Sequence, residues 1–135
     1  MSAEQYVNGP GAGEGLSGQY WYSQSVSLGN TVKCSGQGGW DENGKVPTGD
    51  AAKQIEYAFK NVDQLLQAAG LRGWEDVIAV RSYHVGVSNT LDLYVSYLKK
   101  RIPCHRPTST VIGVSELAQP GMLIELEVEA KKQKR

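Results

Sequence analysis

The sequence predicts an α+β fold, in which one mixed sheet carries two helices on the same face. Apolar residues recur at helical spacing over residues 51–69 and again over residues 88–101. Shorter runs alternate between aliphatic or aromatic and polar residues, most clearly over residues 122–130. Taken along the chain, these segments give the order β-β-α-β-α-β-β.

The first predicted element is a β-hairpin. Residues 20–28 alternate in a strand-like way, Gly29 and Asn30 interrupt the run, and residues 31–35 resume it. Residues 36–47 are dense in glycine and predict a loop. The spacing of its glycines fits neither a phosphate-binding loop nor a dinucleotide-binding motif.

The second predicted element is a helix of about 19 residues. Asp50 is a good N-cap for a helix that begins at Ala51, and Gly70 supplies the stop. Residues 77–87 then predict a strand, and a shorter helix capped by Ser88 or Asn89 follows it. Its last turn is basic, which suits the negative end of the helix dipole.

Two strands complete the predicted sheet. They cover residues 108–114 and 122–130, and the loop between them holds a Pro-Gly turn signal. In the last strand Glu125, Glu127 and Glu129 share one face, and aliphatic residues form the other. A face rich in carboxylates is either solvated or functional.

The length of 135 residues predicts a single domain that can bury its own core. Residues 1–18 contain five glycines and few large apolar groups, so we expect a flexible lead-in there. The domain should cover residues 19–131, with residues 132–135 as a basic tail. Because two helices cover only one face of the sheet, we expect self-association to cover the other.

Composition weighs against several function classes. Fourteen basic and fourteen acidic residues cancel, which disfavours sequence-independent nucleic-acid binding. No apolar run approaches the roughly 20 residues of a spanning helix, and no targeting signal is visible, so we expect a cytoplasmic protein. Cys34 and Cys104 show no metal-ligand spacing and are interpreted as two reduced thiols.

Three segments together resemble the Rid family, which is also called YjgF. They are HRPTSTVIGVSELAQPGMLIELEVEA at residues 105–130, LGNTVKCSGQ at residues 28–37 and WEDV at residues 74–77. The order and spacing of these motifs match over residues 20–130. The resemblance implies a chorismate-mutase-like fold, a homotrimer with a cleft at each subunit interface, and a small-molecule ligand, expected to be a carboxylate. It also implies deamination of enamines or imines without a metal or organic cofactor.

The resemblance assigns roles to several residues. Glu125 matches a glutamate thought to orient or activate a water, although it could also be an exposed strand glutamate like Glu127. Tyr22 matches a cleft tyrosine, with packing on a sheet face as the alternative. Ser35 and Gly36 match a Ser-Gly pair that contacts ligand in relatives, and a glycine there permits close approach.

Ser109 departs from the family pattern. Deaminase members carry Pro-x-Arg-[Ser/Thr] at the start of this strand, and their arginine binds the substrate carboxylate. Here the run is Pro-Thr-Ser-Thr at residues 107–110, and the lost charged contact costs about 2–4 kcal/mol. Arg106 is the local cation that could substitute, with a solvated loop arginine as the alternative. His105 could line the cleft, whereas His84 is interpreted as a strand residue with satisfied hydrogen bonds.

Two functions remain open from the sequence. The first is an enamine or imine deaminase, or a related hydrolase, that acts on a small reactive metabolite in an intersubunit cleft. The second is a non-catalytic trimeric small-molecule-binding protein that kept the cleft without the chemistry. A ribonuclease is disfavoured by the zero net charge and by the absence of a clustered base, acid and phosphate-binding cation.

Overall fold

The computed structural model describes residues 3–133 and confirms the α+β fold. One mixed sheet of seven strands carries three helices. In chain order the elements are β1 (Gln5–Val7), α1 (Ala12–Tyr20), β2 (Ser25–Leu28), β3 (Thr31–Cys34), β4 (Gln37–Gly38), α2 (Ala51–Ala68), β5 (Val77–His84), α3 (Val87–Arg101), β6 (Thr108–Gly113) and β7 (Ile124–Lys131). A short 3-10 helix, Trp74–Asp76, precedes β5.

The strand order in the sheet is β1-β2-β3-β7-β5-β6, and β4 also pairs with β7. All pairs are antiparallel except β5 with β6, which are parallel because α3 connects them as a crossover. Val80 on β5 lies opposite both Val128 on β7 and Ser109 on β6. Paired residues share a face of the sheet, so these three side chains lie on the same side.

The core lies between the sheet and the two long helices. Ile124, Leu126 and Val128 of β7 are fully buried against an apolar stripe of α2. Phe59 of α2 stacks on Trp74 with ring centroids 4.5 Å apart, and the Trp74 indole donates to the Phe59 carbonyl at 3.0 Å. The alternation predicted for the last strand is therefore confirmed, with its glutamates on the opposite face.

The open face of the sheet carries polar side chains. The register places Glu125 beside Tyr83 and Glu127 beside Arg81, and these side chains are partly or well exposed. The edge strand β6 is exposed along nearly its whole length. An edge strand with unpaired backbone groups is a surface that pairs readily with another chain.

Residues 3–20 form two elements where the sequence predicts a flexible lead-in over residues 1–18. β1 pairs with β2, and α1 buries Gly13 and Leu16. Leu16 packs with Trp40 and Met122, so tertiary contacts stabilise a glycine-rich helix of low intrinsic propensity. The strand predicted from residue 20 is also wrong, because α1 continues to Tyr20 and β2 begins at Ser25.

The predicted N-cap is confirmed for α2 but not for α3. Asp50 caps α2, since its carboxylate accepts from the Lys53 amide at 2.9 Å. Neither Ser88 nor Asn89 caps α3, which begins at Val87 after Gly86. Gly86 adopts a φ of 75°, a conformation that glycine adopts without strain.

The predicted basic tail at residues 132–135 lies partly outside the described residues, which end at Gln133. β7 extends to Lys131, and the Lys132 amide donates to the Asn30 carbonyl at 2.7 Å. None of the helices described over residues 3–133 combines the length and hydropathy needed to cross a membrane.

Candidate functional site

Glu125 lies on β7 opposite Tyr83 of β5 and Gly38 of β4. Its carboxyl group lies directly against Gly36: a methyl group on that residue would lie 2.6 Å from the Glu125 Cδ and would collide with Oε1. Gly36 therefore leaves the space that the carboxyl group occupies. This contact brings two of the predicted site residues together, and their role in a functional site stays a prediction.

The Glu125 carboxyl group is only partly exposed. Burial raises its pKa above the usual value, and the neighbouring Glu127 carboxylate raises it further. A carboxyl group with a raised pKa exchanges its proton more readily near neutral pH than an ordinary one. Glu125 is therefore suited to accept a proton from water and to return it.

Tyr22 is held beside this group by a network of buried amides. The Gln24 Nε2 atom donates to the Tyr22 hydroxyl at 2.8 Å and to the Gly13 carbonyl at 3.1 Å. The Gln24 Oε1 atom accepts from Gln37 Nε2 at 2.6 Å. Because both Gln24 protons are committed and the Tyr22 oxygen accepts one of them, the Tyr22 hydroxyl proton is free to point elsewhere.

The phenol and the carboxylate also interact electrostatically. Burial raises the pKa of Tyr22, the Gln24 hydrogen bond lowers it, and the charge of Glu125 raises it again. Tyr22 additionally contacts the cluster of Leu16, Trp40 and Met122, so its ring is packed while its hydroxyl stays with the polar network. Tyr22 thus lies within electrostatic range of the Glu125 carboxyl group, which itself lies against Gly36.

Ser35, next to Gly36, makes two hydrogen bonds to the segment that precedes β2. Its hydroxyl donates to the Ser23 carbonyl and its amide donates to the Gln24 carbonyl, both at 2.7 Å. The hydroxyl proton is therefore already committed, and a ligand would find only the oxygen lone pairs. A ligand contact through Ser35 stays a prediction.

Ser109 lies apart from this group. It is opposite Val80 and Val128 in the sheet and so faces the helical side, whereas Glu125 faces the open side. With Arg106 and His105 it lines a cavity of about 620 Å³ next to α3. The predicted site residues therefore form two groups on opposite faces of one sheet.

The histidines have defined partners. His105 Nε2 donates to the Val77 carbonyl at 2.6 Å, which holds the ring at the cavity wall. His84 is buried, and its ring contacts Thr90 at 2.7 Å and Ser82 at 2.8 Å. Burial lowers the pKa of His84. His84 is thus a satisfied core residue, as the sequence predicts.

The two cysteines and the acidic side chains offer no further site for nucleophilic or metal chemistry within residues 3–133. Cys34 is buried, and burial raises the pKa of its thiol to about 12, which leaves it protonated. Cys104 is exposed in the loop before β6. Among residues 3–133, no group of three or more His, Cys, Asp or Glu side chains is arranged to hold a metal ion.

Gln24 and Gln37 were missed by the sequence reasoning. Both amides are almost fully buried, and together they fix the orientation of Tyr22. The spacing of Tyr22 and Gln24, two residues apart in an extended segment, was the available signal, because such residues project to the same side. The connection to Gly13 could not be seen, since α1 was not predicted.

Comparison with known proteins agrees with this architecture. The family model described as Endoribonuclease L-PSP matches residues 16–132. The chain is 32% identical over 125 residues to the RutC family protein YjgH of Escherichia coli (strain K12), covering 90% of this chain and 91% of that protein. It is 30% identical over 97 residues to a 2-iminobutanoate/2-iminopropanoate deaminase of Dermatophagoides farinae, covering 71% and 74% of the two chains.

A solved structure of protein YJGH superposes with a TM-score of 0.82 and 29% identity. The alignment covers 96% of this chain and 98% of that one. The expectation raised by the three sequence motifs is confirmed by the family model, by the curated relatives and by this superposition. The chain belongs to the Endoribonuclease L-PSP family, which is the Rid or YjgF family that its motifs resemble.

Proposed function

We propose that this protein is a cofactor-independent enamine or imine deaminase that hydrolyses a small reactive metabolite. The observation that carries the proposal is the Glu125 carboxyl group, which lies in the space left by Gly36, has a raised pKa and interacts electrostatically with Tyr22. Curated relatives named 2-iminobutanoate/2-iminopropanoate deaminase, 30% and 31% identical to this chain, support the same chemistry.

The proposed reaction begins with an imine bound next to Glu125. A water molecule attacks the imine carbon while the Glu125 carboxylate accepts one of its protons. Glu125 returns that proton to the nitrogen, which gives the neutral carbinolamine. Glu125 then takes the proton of the carbinolamine hydroxyl group and donates it to the amine, so that ammonia leaves as the carbonyl forms. One water is consumed, and Glu125 ends in its starting protonation state.

The other groups of the proposed site bind the substrate rather than transfer protons. The free hydroxyl proton of Tyr22 is available to an oxygen or nitrogen of the substrate, since Gln24 already donates to the phenol oxygen. The Gly36 backbone allows a ligand to approach closely, and Ser35 lies next to it. In this proposal Tyr22, Ser35 and Gly36 bind the substrate.

We further propose that the site is completed by a second copy in a homotrimer. Within one chain Ser109 and Arg106 lie on the side of the sheet opposite to Glu125. The open face and the exposed edge strand β6 offer surface for association. A subunit boundary could bring the two groups of residues to one cleft, with Ser109 and Arg106 contributed by the neighbouring copy.

The experiment generates 2-iminobutanoate in place with a pyridoxal-dependent dehydratase and follows ammonia and keto-acid release. We expect this protein to release ammonia faster than the spontaneous reaction. Because Ser109 replaces an arginine, the Ser109→Arg variant should be faster still, whereas Ser115→Arg in the exposed loop after β6 should not change the rate. An uncatalysed rate with wild-type protein and with Ser109→Arg contradicts the proposal.

The second candidate is a non-catalytic binding protein, and the serine at position 109 is the observation that favours it. A hydroxyl donates one hydrogen bond but carries no charge, so a small 2-imino acid loses about 2–4 kcal/mol of binding there. This candidate predicts saturable binding of small carboxylates without any acceleration of imine hydrolysis.

A further inference from the structure

A cavity of about 620 Å³ lies between the C-terminal half of α3 and the start of β6. Val95, Leu98 and Ile102 form its apolar wall. Ser109, at the position where family deaminases carry arginine, lies at one end of it. A volume of this size lies within the range of small-molecule sites in proteins.

The charges around this cavity have one sign. Lys99 from α3 lines it, together with His105 and Arg106 from the following loop. None of the lining residues, all of which belong to the described part of the chain, is acidic. An apolar wall with a cationic rim fits a molecule that is apolar along its length and anionic at one end.

A second observation lies at the Ser109 end. The Tyr94 hydroxyl is buried and makes no hydrogen bond of ordinary geometry within residues 3–133. Burial raises the pKa of Tyr94, and the nearby hydroxyls of Ser109 and Ser82 lower it, so both lie close to the phenol. Ser82 is already bonded to His84 at 2.8 Å. Ser109 lines the cavity, so its hydroxyl group is the polar group that a ligand meets there.

The polar residues Arg106 and Ser109 line the cavity from different points of the backbone. Arg106 and Ser109 are separated by three residues, or roughly 10 Å in extended geometry. A 2-imino acid carries its carboxylate next to the reacting carbon and is too short to contact both ends. A ligand that contacts both must carry its charge several bonds away from its second polar group.

We propose that this cavity binds an amphipathic carboxylate whose charge lies at Lys99 and Arg106, whose apolar chain follows α3, and whose second polar group faces Ser109. The inference rests on the proposed function where it names the substrate class: imines or enamines that carry a carboxylate remote from the reacting carbon. In this proposal Lys99 and Arg106 bind the carboxylate that an arginine binds in family deaminases.

The test is a calorimetric titration of the full-length protein with butanoate, hexanoate and octanoate, and with hexylammonium as the charge control. We expect saturable binding that tightens by roughly threefold for each added methylene and no binding of hexylammonium. Lys99→Glu should weaken hexanoate binding by roughly fivefold or more. Lys100→Glu is the matched control, because Lys100 stands over the Tyr97 ring instead, 6.0 Å from its centroid.

Two outcomes overturn the inference: the absence of saturable hexanoate binding, or an equal loss in Lys99→Glu and Lys100→Glu. Binding is measured without turnover, so it is distinguishable from the proposed function. Hexanoate binding without any imine hydrolysis supports the proposed binding of carboxylates in the cavity and contradicts the proposed deaminase activity. Hydrolysis of 2-iminobutanoate without hexanoate binding supports the proposed deaminase activity and contradicts the proposed binding of carboxylates in the cavity.

Discussion

Gly36 is the residue on which the position of the Glu125 carboxyl group depends most directly. A Gly36→Ala substitution places a methyl group where the carboxyl group lies and should displace it, lowering the rate of imine hydrolysis by roughly tenfold or more. The matched control is Gly18→Ala, because no atom lies within 4 Å of a methyl group added there. Initial rates of both variants check the prediction, and a wild-type rate for Gly36→Ala contradicts it.

The pKa of Glu125 gives a prediction about pH. Burial raises this pKa first, and the charge of Glu127 raises it further. Since the deprotonated carboxylate is the base, the rate should rise with pH through this raised value. Glu127→Gln removes one cause, so the acid limb of the pH–rate profile should move to lower pH. Glu129→Gln, whose charge does not contribute to this shift, should leave the limb in place; equal movement in both variants would refute the assignment.

Part of the site could be predicted at this scale. The family motifs indicate Tyr22, Gly36 and Glu125; in the structure Glu125 lies against Gly36 and interacts electrostatically with Tyr22. The motifs gave no sign that Ser109 faces the opposite side, because that depends on the parallel pairing of β5 with β6. Gln24 and Gln37 interact through a hydrogen bond across 13 residues, which no local pattern indicates.

At the scale of elements, α2, α3 and the 3-10 helix are held together by one charged network. The Asp63 carboxylate accepts from the Trp74 amide at 2.9 Å and from the Arg101 guanidinium at 2.9 and 3.0 Å. Arg101 also donates to Glu75 at 2.9 and 3.0 Å. This network closes the end of the helical layer opposite to the start of α3.

Asp63→Asn should lower the free energy of unfolding by about 1–3 kcal/mol, because it removes a charge that serves three elements. Glu56→Gln is the control, since it breaks only the exposed pair with Lys53 and should change stability by about 0.5 kcal/mol or less. Urea unfolding of the two variants measures both values. Equal stabilities would contradict the structural role of the network.

Acid stability should depend on Asp76, which is almost fully buried. Burial raises its pKa, but the side-chain and backbone hydrogen bonds from Arg72 outweigh that effect and hold it below the usual value. A lowered pKa contributes stability above the unfolded value of about 3.9, and the contribution is lost as pH falls through the folded value. The stability of Asp76→Asn should therefore vary less below about pH 4 than that of the wild type, as unfolding curves across this range would show.

Elements with a strong repeat were predictable and those made by packing were not. The apolar stripe of α2 and the alternation of β7 follow from residue spacing alone. α1 contains three glycines and has no such stripe; its position depends on Leu16 contacting Trp40 and Met122, which are far along the chain. β4 is two residues long and is defined only by its pairing with β7.

At the scale of the whole molecule, the proposed homotrimer accounts for the open sheet face and for the separation of Glu125 from Ser109. We expect light scattering to give the mass of three chains. Arg81→Glu places a negative charge beside Glu127 on the open face and should shift the mass toward one chain. Lys60→Glu, on the exposed surface of α2, should keep three. A wild-type mass of one chain contradicts the shared cleft.

The most direct test of the central claim is the rate of ammonia release from 2-iminobutanoate with the wild type, Glu125→Gln and Glu129→Gln. Both variants lose one carboxylate from the same strand and the same face, but only Glu125 lies against Gly36. The account predicts acceleration by the wild type, a loss of roughly a hundredfold or more in Glu125→Gln, and a nearly unchanged rate in Glu129→Gln. A wild-type rate in Glu125→Gln would contradict it.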